Sequence, residues 1–450
     1  MRFNPHTPAD VEAMLARVGV ESVDDILSVV PDGLRRRASL NLPRGLSEQE
    51  MVERMRTIAA ENHRLRSFQG AGCYRHFIPA AVDRVLSRSE FATAYTPYQA
   101  EVSQGTLLAG FEFQTYVAIL TGLDLANVSL YDGASALAEA VLLSLRVGPK
   151  RDLVLVSAGV HPEYIAVVRT YIEGYGRGRV VLVPLAADGR TDLGRLEGLL
   201  SEDVAAVCTG YPNFYGVIDD LSGVSKLAKG CGALSISVTQ EALALALLRS
   251  PGSCGAEVAV AEGQSFGLPL SWGGPGVGLF AVRGEYIRQM PGRLVGETVD
   301  EDGRRGYVLT LSTREQHIRR DRATSNICTN QGLAALAVTV YLGLAGRCGL
   351  RQLAELNAAR AHQLASRLSV EVGLEPAFSG PFFNEFAVDV GGQGWFEDSV
   401  SRGIVPGVRL AALAEADQRC PEDRMLISVT ECNSDSDFDA LIEELKRAAR

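Results

Sequence analysis

LVLV (153–156), VVLV (180–183), VAAVC (204–208), ALSISV (233–238) and VAVA (258–261) decide the fold of this chain. A strand with one wet face alternates apolar and polar residues. These runs are apolar throughout and are separated, for the most part, by helical periodicity, which predicts a parallel sheet covered on both faces by helices. Right-handed crossovers then gather the loops after the strands along one edge, where open α/β sheets bind ligands. GLFAV (278–282) follows a glycine turn instead of a helix and is expected to run antiparallel. Helices are expected at 104–121 and 133–147, and a hairpin at Asp302-Gly303, flanked by GETV and GYVLTL.

Outward from this block, the organisation predicted is a helical N-terminal region with interface loops (1–103), a large α/β domain (104–325) and a smaller C-terminal α/β lobe (326–450). Thr7 caps a helix opened by Pro8 and closed by Gly19, with Val11, Met14, Leu15 and Val18 on one face. Ser47 to Glu50 form a capping box before Met51, Met55 and Ile58. The stretches GAGCYRHFIP (70–79) and AYTPYQAEVSQG (94–105) read as loops that need a supporting surface. The C-terminal lobe has helices near 331–346 and 350–369, strands near 386–390 and 425–430, and a last helix at 436–447.

Composition narrows the function classes. With 44 basic and 54 acidic residues the net charge is −10, which disfavours nucleic acid as a partner. The opening MRFNPHTPADVEAM lacks the apolar core of a secretory leader. The longest apolar run, Gly332 to Gly346, falls short of the roughly 18 residues that span a bilayer. A cytoplasmic protein without membrane contact is expected. Eight cysteines, at 73, 208, 231, 254, 328, 348, 420 and 432, contain no C-x-x-C pair and predict reduced thiols, with no metal site. Of the 44 basic residues, four are lysine: Lys150, Lys226, Lys229 and Lys446.

The residues after the strands are chemically suggestive. Asp132-Gly133-Ala134-Ser135 opens a helix whose small first residues let an anion reach the backbone N–H groups. His161, the Tyr211-Pro212-Asn213 turn, Glu241 and Gln264 each sit just after a strand, a layout suited to a phosphorylated planar cofactor. Each also has a plainer use: His161 as a helix cap, Glu241 as a first-turn acid, Tyr-Pro-Asn as turn chemistry. The run Gly273 to Gly278 does not satisfy G-x-G-x-x-G and precedes a strand, which disfavours a dinucleotide loop.

The runs AYTPYQAEVSQGTL (94–107), YDGASALAEA (131–140), HPEY (161–164), YPNFYGVI (211–218), GEYIRQMPGRLVGETVD (284–300) and EQHIRRDRATSNICTNQ (315–331) resemble the glycine decarboxylase P-protein family, most closely its N-terminal half, which many prokaryotes make as a separate alpha subunit. The match runs from the Asn4-Pro-His-Thr start to the C-terminal helix. The resemblance implies a fold-type-I, pyridoxal-phosphate (PLP) transferase-like architecture. It also implies a reaction in which glycine is decarboxylated and its aminomethyl group passes to the lipoyl arm of the H-protein. Such chemistry needs a lysine to hold PLP as an imine. Alignment places that lysine near Gln264 or Ser265, and arginine cannot replace it because its guanidinium stays protonated.

The resemblance therefore implies an alpha subunit without the Schiff-base lysine, inactive alone, with PLP on a beta partner in an α2β2 assembly. Ser135, His161, Asn213, Glu241 and Gln264 would be an inherited, unused cofactor pocket. Tyr95, Tyr98, Gln99 and Glu101 are the candidates to support the partner's active site, unless that loop merely seals the subunit contact. Arg319, Arg320, Arg322 and Asn326, beside Arg314 and His317, are candidates for contact with an anion or an acidic carrier, although such runs are more often a solvated helix face. The rival readings are a non-catalytic scaffold or regulatory subunit, and a stand-alone PLP lyase or transaminase.

Overall fold

A computed structural model describes residues 5–38, 41–63, 65–327, 329–390, 395–413 and 423–448, so that Asn4, Cys328 and Cys420 lie outside the described residues. The chain divides into two compact units, Met1–His63 and Arg64–Arg450.

The first unit is helical: Pro8–Val18, Val23–Ile26, Asp32–Arg37 and Glu48–Ala60. Its ends follow the capping chemistry of the sequence. Thr7 and Ser47 each accept the N3 backbone N–H while the N3 carboxylate reaches back, and Gly19 closes the first helix at φ 83°. None of these four helices buries a side chain.

The second unit is built on a seven-stranded sheet. Its strands are β1 (Leu125–Ala126), β2 (Leu153–Ser157), β3 (Arg179–Val183), β4 (Val204–Gly210), β5 (Leu234–Thr239), β6 (Val258–Glu262) and β7 (Gly278–Val282), in the spatial order β1-β7-β6-β5-β4-β2-β3. β7 runs antiparallel to both its neighbours and the remaining pairs are parallel. The continuous apolar runs are explained by coverage of both faces. Val154, Val156, Cys208, Ile236 and Val260 pack with Leu137, Ala140 and Val141 of the helix Gly133–Val147. Leu153, Leu155, Val204 and Val207 turn the other way, onto Val224 and Ala228 of the helix Leu221–Gly230. The linker between β5 and β6 holds short 3-10 turns, Ala242–Ala246 and Pro251–Cys254, where a full helix would be usual.

The hairpin forms as read, β8 (Leu294–Val299) against β9 (Arg305–Thr310), as a separate two-stranded sheet. A third sheet, β10 (Glu385–Asp389), β11 (Val408–Arg409) and β12 (Arg424–Ser428), has the order β10-β12-β11 and packs its apolar face on the terminal helix Asp435–Ala448. The apolar run at Gly332 continues as far as Val372 across a break at Gly346, whose φ of 57° and ψ of −179° are not helical. By length and composition alone this helix would suffice to cross a membrane, but half of its apolar window is buried inside the protein. The described cysteines, 73, 208, 231, 254, 348 and 432, are free thiols.

Candidate functional site

The carboxyl edge of the large sheet does bring His161, Asn213, Glu241 and Gln264 into one region, and what they hold is the chain itself. The extended segment Phe68–Phe77 runs through it with alternate residues inward: Phe68, Gly70, Gly72, Tyr74 and His76 are buried, while Gln69, Cys73, Arg75 and Phe77 are exposed.

Each edge residue grips a point on this segment. His161 Nδ1 accepts the Glu163 backbone N–H at 3.1 Å, capping the helix Pro162–Tyr175, which leaves the proton on Nε2 to donate to Ala71 O at 3.1 Å. Burial lowers the pKa of His161 and keeps it neutral in that role. Gly72, at φ 93°, puts bare backbone against the imidazole, a place where a side chain would be strained. Gln264 Oε1 accepts the Tyr74 N–H at 3.0 Å, and its amide donates to Leu268 O at 2.8 Å. Glu385, on β10, accepts the Ala71 N–H at 2.7 Å and the Tyr74 hydroxyl at 2.8 Å. Burial raises the Glu385 carboxyl to about 7 against these hydrogen bonds.

Glu241 meets His76. Its Oε2 lies 3.0 Å from Nε2 of His76, while Nδ1 on the far side of the ring is 3.0 Å from Oε2 of Glu431. With carboxylates at both ring nitrogens, only the doubly protonated imidazolium satisfies both. Burial works against that charge, but the two acids outweigh it and push the His76 pKa up to about 10, while Glu431, itself opposed by burial, falls to about 2. Asn213 is spent on its own turn: Nδ2 donates to Gly189 O at 2.8 Å, and Oδ1 accepts the N–H groups of Tyr215 and Val217.

The helix N-terminus at Gly133 is also occupied. Asp132 Oδ1 takes the Ser135 N–H at 2.7 Å and Glu262 Oε2 takes the Gly133 N–H at 2.9 Å. The other oxygen of Glu262 accepts from Gln264 and Val277, and burial raises its pKa to about 7. A carboxylate thus sits where an anion would use the helix end.

The remaining candidates lie in a second group. In the 94–101 loop Tyr95, Tyr98, Gln99 and Glu101 are all exposed. Arg319, Arg320, Arg322 and Asn326 are exposed as well, whereas Arg314 turns inward to donate to Leu311 O, Met290 O and Gly292 O. Ser325 donates at 2.7 Å to the buried Glu139.

A family model described as the glycine cleavage system P-protein matches residues 1–445. The chain belongs to the P-protein family. It is 53% identical over 413 residues, 91% of this chain and 92% of the relative, to the probable glycine dehydrogenase (decarboxylating) subunit 1 of Anaeromyxobacter dehalogenans strain 2CP-C. The protein of the same name from Sorangium cellulosum strain So ce56 is 47% identical over 99% of both chains. Among solved structures, a glycine decarboxylase P-protein of the glycine cleavage system, in inhibitor-bound form, superposes with a TM-score of 0.91 at 43% identity and full coverage of both chains. The architecture of this P-protein-family chain is that of the fold-type-I PLP enzymes.

The P-protein family's cofactor does not fit the residues present at this edge. Gln264 offers an amide where an amine is required, His161 and Glu241 are bonded to the 71–76 segment, and Glu262 holds the helix end. The space left between Tyr74, Asn213, Gln240, Glu241 and Asn384 is 10 Å³, room for about one water molecule. Reading the sequence missed His76, Tyr74, Glu385 and Glu431. For Tyr74 and His76 the signal was a period of two through Phe68, Gly70, Gly72, Tyr74 and His76, hidden because two of the inward residues are glycine; Glu385 and Glu431 lie outside that run.

Proposed function

We propose that this chain is the alpha subunit of a two-chain glycine decarboxylase, active only with a beta partner that carries PLP on its own lysine. The assembly is α2β2 and cytoplasmic, and passes the aminomethyl group of glycine to the lipoyl arm of the H-protein. The observation that carries the reading is the self-filled edge: the site that would hold a cofactor is taken by Ala71, Tyr74 and His76, with Gln264 bonded to the Tyr74 N–H at 3.0 Å. A chain so built has its work at the contact with another. Full-length similarity to proteins named subunit 1 supports this assignment.

The chain's own contribution is then the 94–101 loop. Tyr95, Tyr98, Gln99 and Glu101 project from it as phenol, amide and carboxylate groups able to hydrogen-bond the partner's ligand or fix the partner's loops. Arg319, Arg320, Arg322 and Asn326 offer an acidic carrier a basic approach in a protein whose net charge is −10.

The test is to incubate the purified chain with PLP and glycine and reduce with borohydride. No trapped adduct and no carbon dioxide release are expected until the beta chain is added. Gln264→Lys should not by itself create an adduct, because the backbone of Tyr74 still occupies the place. A lysine adduct or decarboxylation by the unaccompanied chain would overturn the assignment.

A further inference from the structure

The front of the 94–101 loop, at Tyr95 and Pro97, has little beneath it. A cavity of 60 Å³ separates it from the sheet and helices, lined by Tyr95, Pro97, Leu107, Leu309, Leu336 and Arg293. The far end of the loop is held, since Ala100 rests on Leu107, Val128, Val295 and Tyr307 and its carbonyl accepts the Gln104 amide at 2.7 Å, whereas at Thr96 and Tyr98 the polar contacts come from Arg293. This residue sits at the start of the hairpin, just before β8, and is 5% exposed. Its Nη2 donates to the Tyr98 hydroxyl at 3.0 Å, its Nη1 donates to Thr96 Oγ1 at 3.4 Å, and its Cζ lies 5.2 Å from the centre of the Tyr98 ring. One planar guanidinium thus holds two side chains of the loop, a geometry that lysine cannot reproduce.

A buried cation needs a counter-charge. Here it is Glu315, whose Oε2 is 3.9 Å from Arg293 Nε and 3.6 Å from Nδ1 of His317. The ring of His317 in turn meets the edge of Tyr98, with centroids 6.3 Å apart. Glu315 and His317 open the segment that carries Arg319, Arg320 and Arg322. The chain of contacts Tyr98, Arg293, Glu315, His317 joins two surface elements that are more than two hundred residues apart in sequence.

We propose that Arg293 is the positioning residue for the 94–101 loop, setting Tyr98 for its part in the glycine reaction at the subunit contact, with Glu315 as its counter-charge. This rests on the proposed role of the loop. Arg293 itself does not touch the reacting atoms. It holds the Tyr98 ring and hydroxyl in one orientation, so its loss should act through Tyr98 and not beside it.

The experiment uses the assembled complex with the beta chain and lipoylated H-protein, measuring kcat and KM for glycine-dependent carbon dioxide release. The variants are Tyr95→Phe, Tyr98→Phe, Arg293→Met, Arg293→Lys and the double variant Tyr98→Phe with Arg293→Met. With assembly intact by sedimentation, Arg293→Met and Tyr98→Phe should each lower kcat/KM by at least about tenfold, the lower end for losing a hydrogen bond to a charged group. The double variant should be no worse than the poorer single. If Arg293→Met does not assemble, Arg293→Lys keeps the charge and should still lose most of the effect. Independent, multiplying losses would overturn the proposal, as would a lowered melting temperature with kcat and KM unchanged, while leaving the loop's role standing. If Tyr95→Phe and Tyr98→Phe are both silent, the reading of the loop falls and this inference falls with it.

Discussion

At the scale of single residues the decisive group is His76, an imidazolium buried between Glu241 and Glu431. It ties the 70–77 segment to the turn after β5 and to the C-terminal lobe, since Glu431 also accepts the Asn357 amide at 3.0 Å and the Phe77 N–H at 2.6 Å. Breaking a buried ion pair leaves the surviving charges uncompensated, so His76→Gln should destabilise the chain by about 3 kcal/mol or more, read as a drop in the denaturant midpoint. The pH dependence has a definite sign. The folded-state pKa of His76 lies above its ordinary 6.5, at about 10, so its contribution is complete below pH 6.5 and disappears as pH rises through 10. Glu262 and Glu385, raised from 4.5 to about 7, add a loss over the range from 4.5 to 7. Glu431, depressed to about 2, acts in the opposite sense: its contribution holds above pH 4.5 and is lost as pH falls through 2. Thermal melting from pH 5 to 10 should therefore show falling stability, and His76→Gln should flatten the alkaline part of the curve. An equally steep alkaline decline in the variant would show that His76 is not its source.

At the scale of elements, the caps, strands and hairpin were legible because they depend on neighbours in sequence. Thr7, Ser47 and Gly19 act within one helical turn, and apolar runs report burial directly. The break in the long helix shows the same locality: Gly346 takes a φ of 57° with ψ of −179°, a conformation that costs residues bearing a Cβ. Gly346→Ala should lower stability by about 1–3 kcal/mol, measured by chemical unfolding. A variant as stable as the parent would mean that the helix runs on through this point. The contacts of the 70–77 segment were not legible, because Tyr74 and Gln264 are 190 residues apart and Tyr74 and Glu385 are 311 apart. No local period encodes such pairings. For the same reason Arg293, within a run quoted for its likeness to the family, gave no sign that it braces Tyr98, 195 residues away. His161 and Glu241 lie together at the sheet edge, both bonded to the 71–76 segment. Their roles were decided by what lies opposite them, a property of the tertiary fold.

At the scale of the whole molecule, the two units differ in how they earn stability. Among the described residues every buried apolar side chain lies in Arg64–Arg450, beginning with Phe68, and the helices of Met1–His63 bury none. Helices of these lengths are marginal in water on their own, and most helical stability comes from a covered apolar face. Met14, Val18, Met51, Met55 and Ile58 lie exposed on such faces. Removing residues 1–63 should accordingly leave the cooperative melting of the remainder within about 2 °C of the parent, because the helices removed hold no buried side chain. The cost should fall on assembly, with the truncated chain binding the proposed beta partner more weakly in sedimentation experiments. A fall in melting temperature of more than about 5 °C would mean that the first unit contributes to the stability of the second. Unchanged association would mean that its apolar faces are covered by something other than the partner chain.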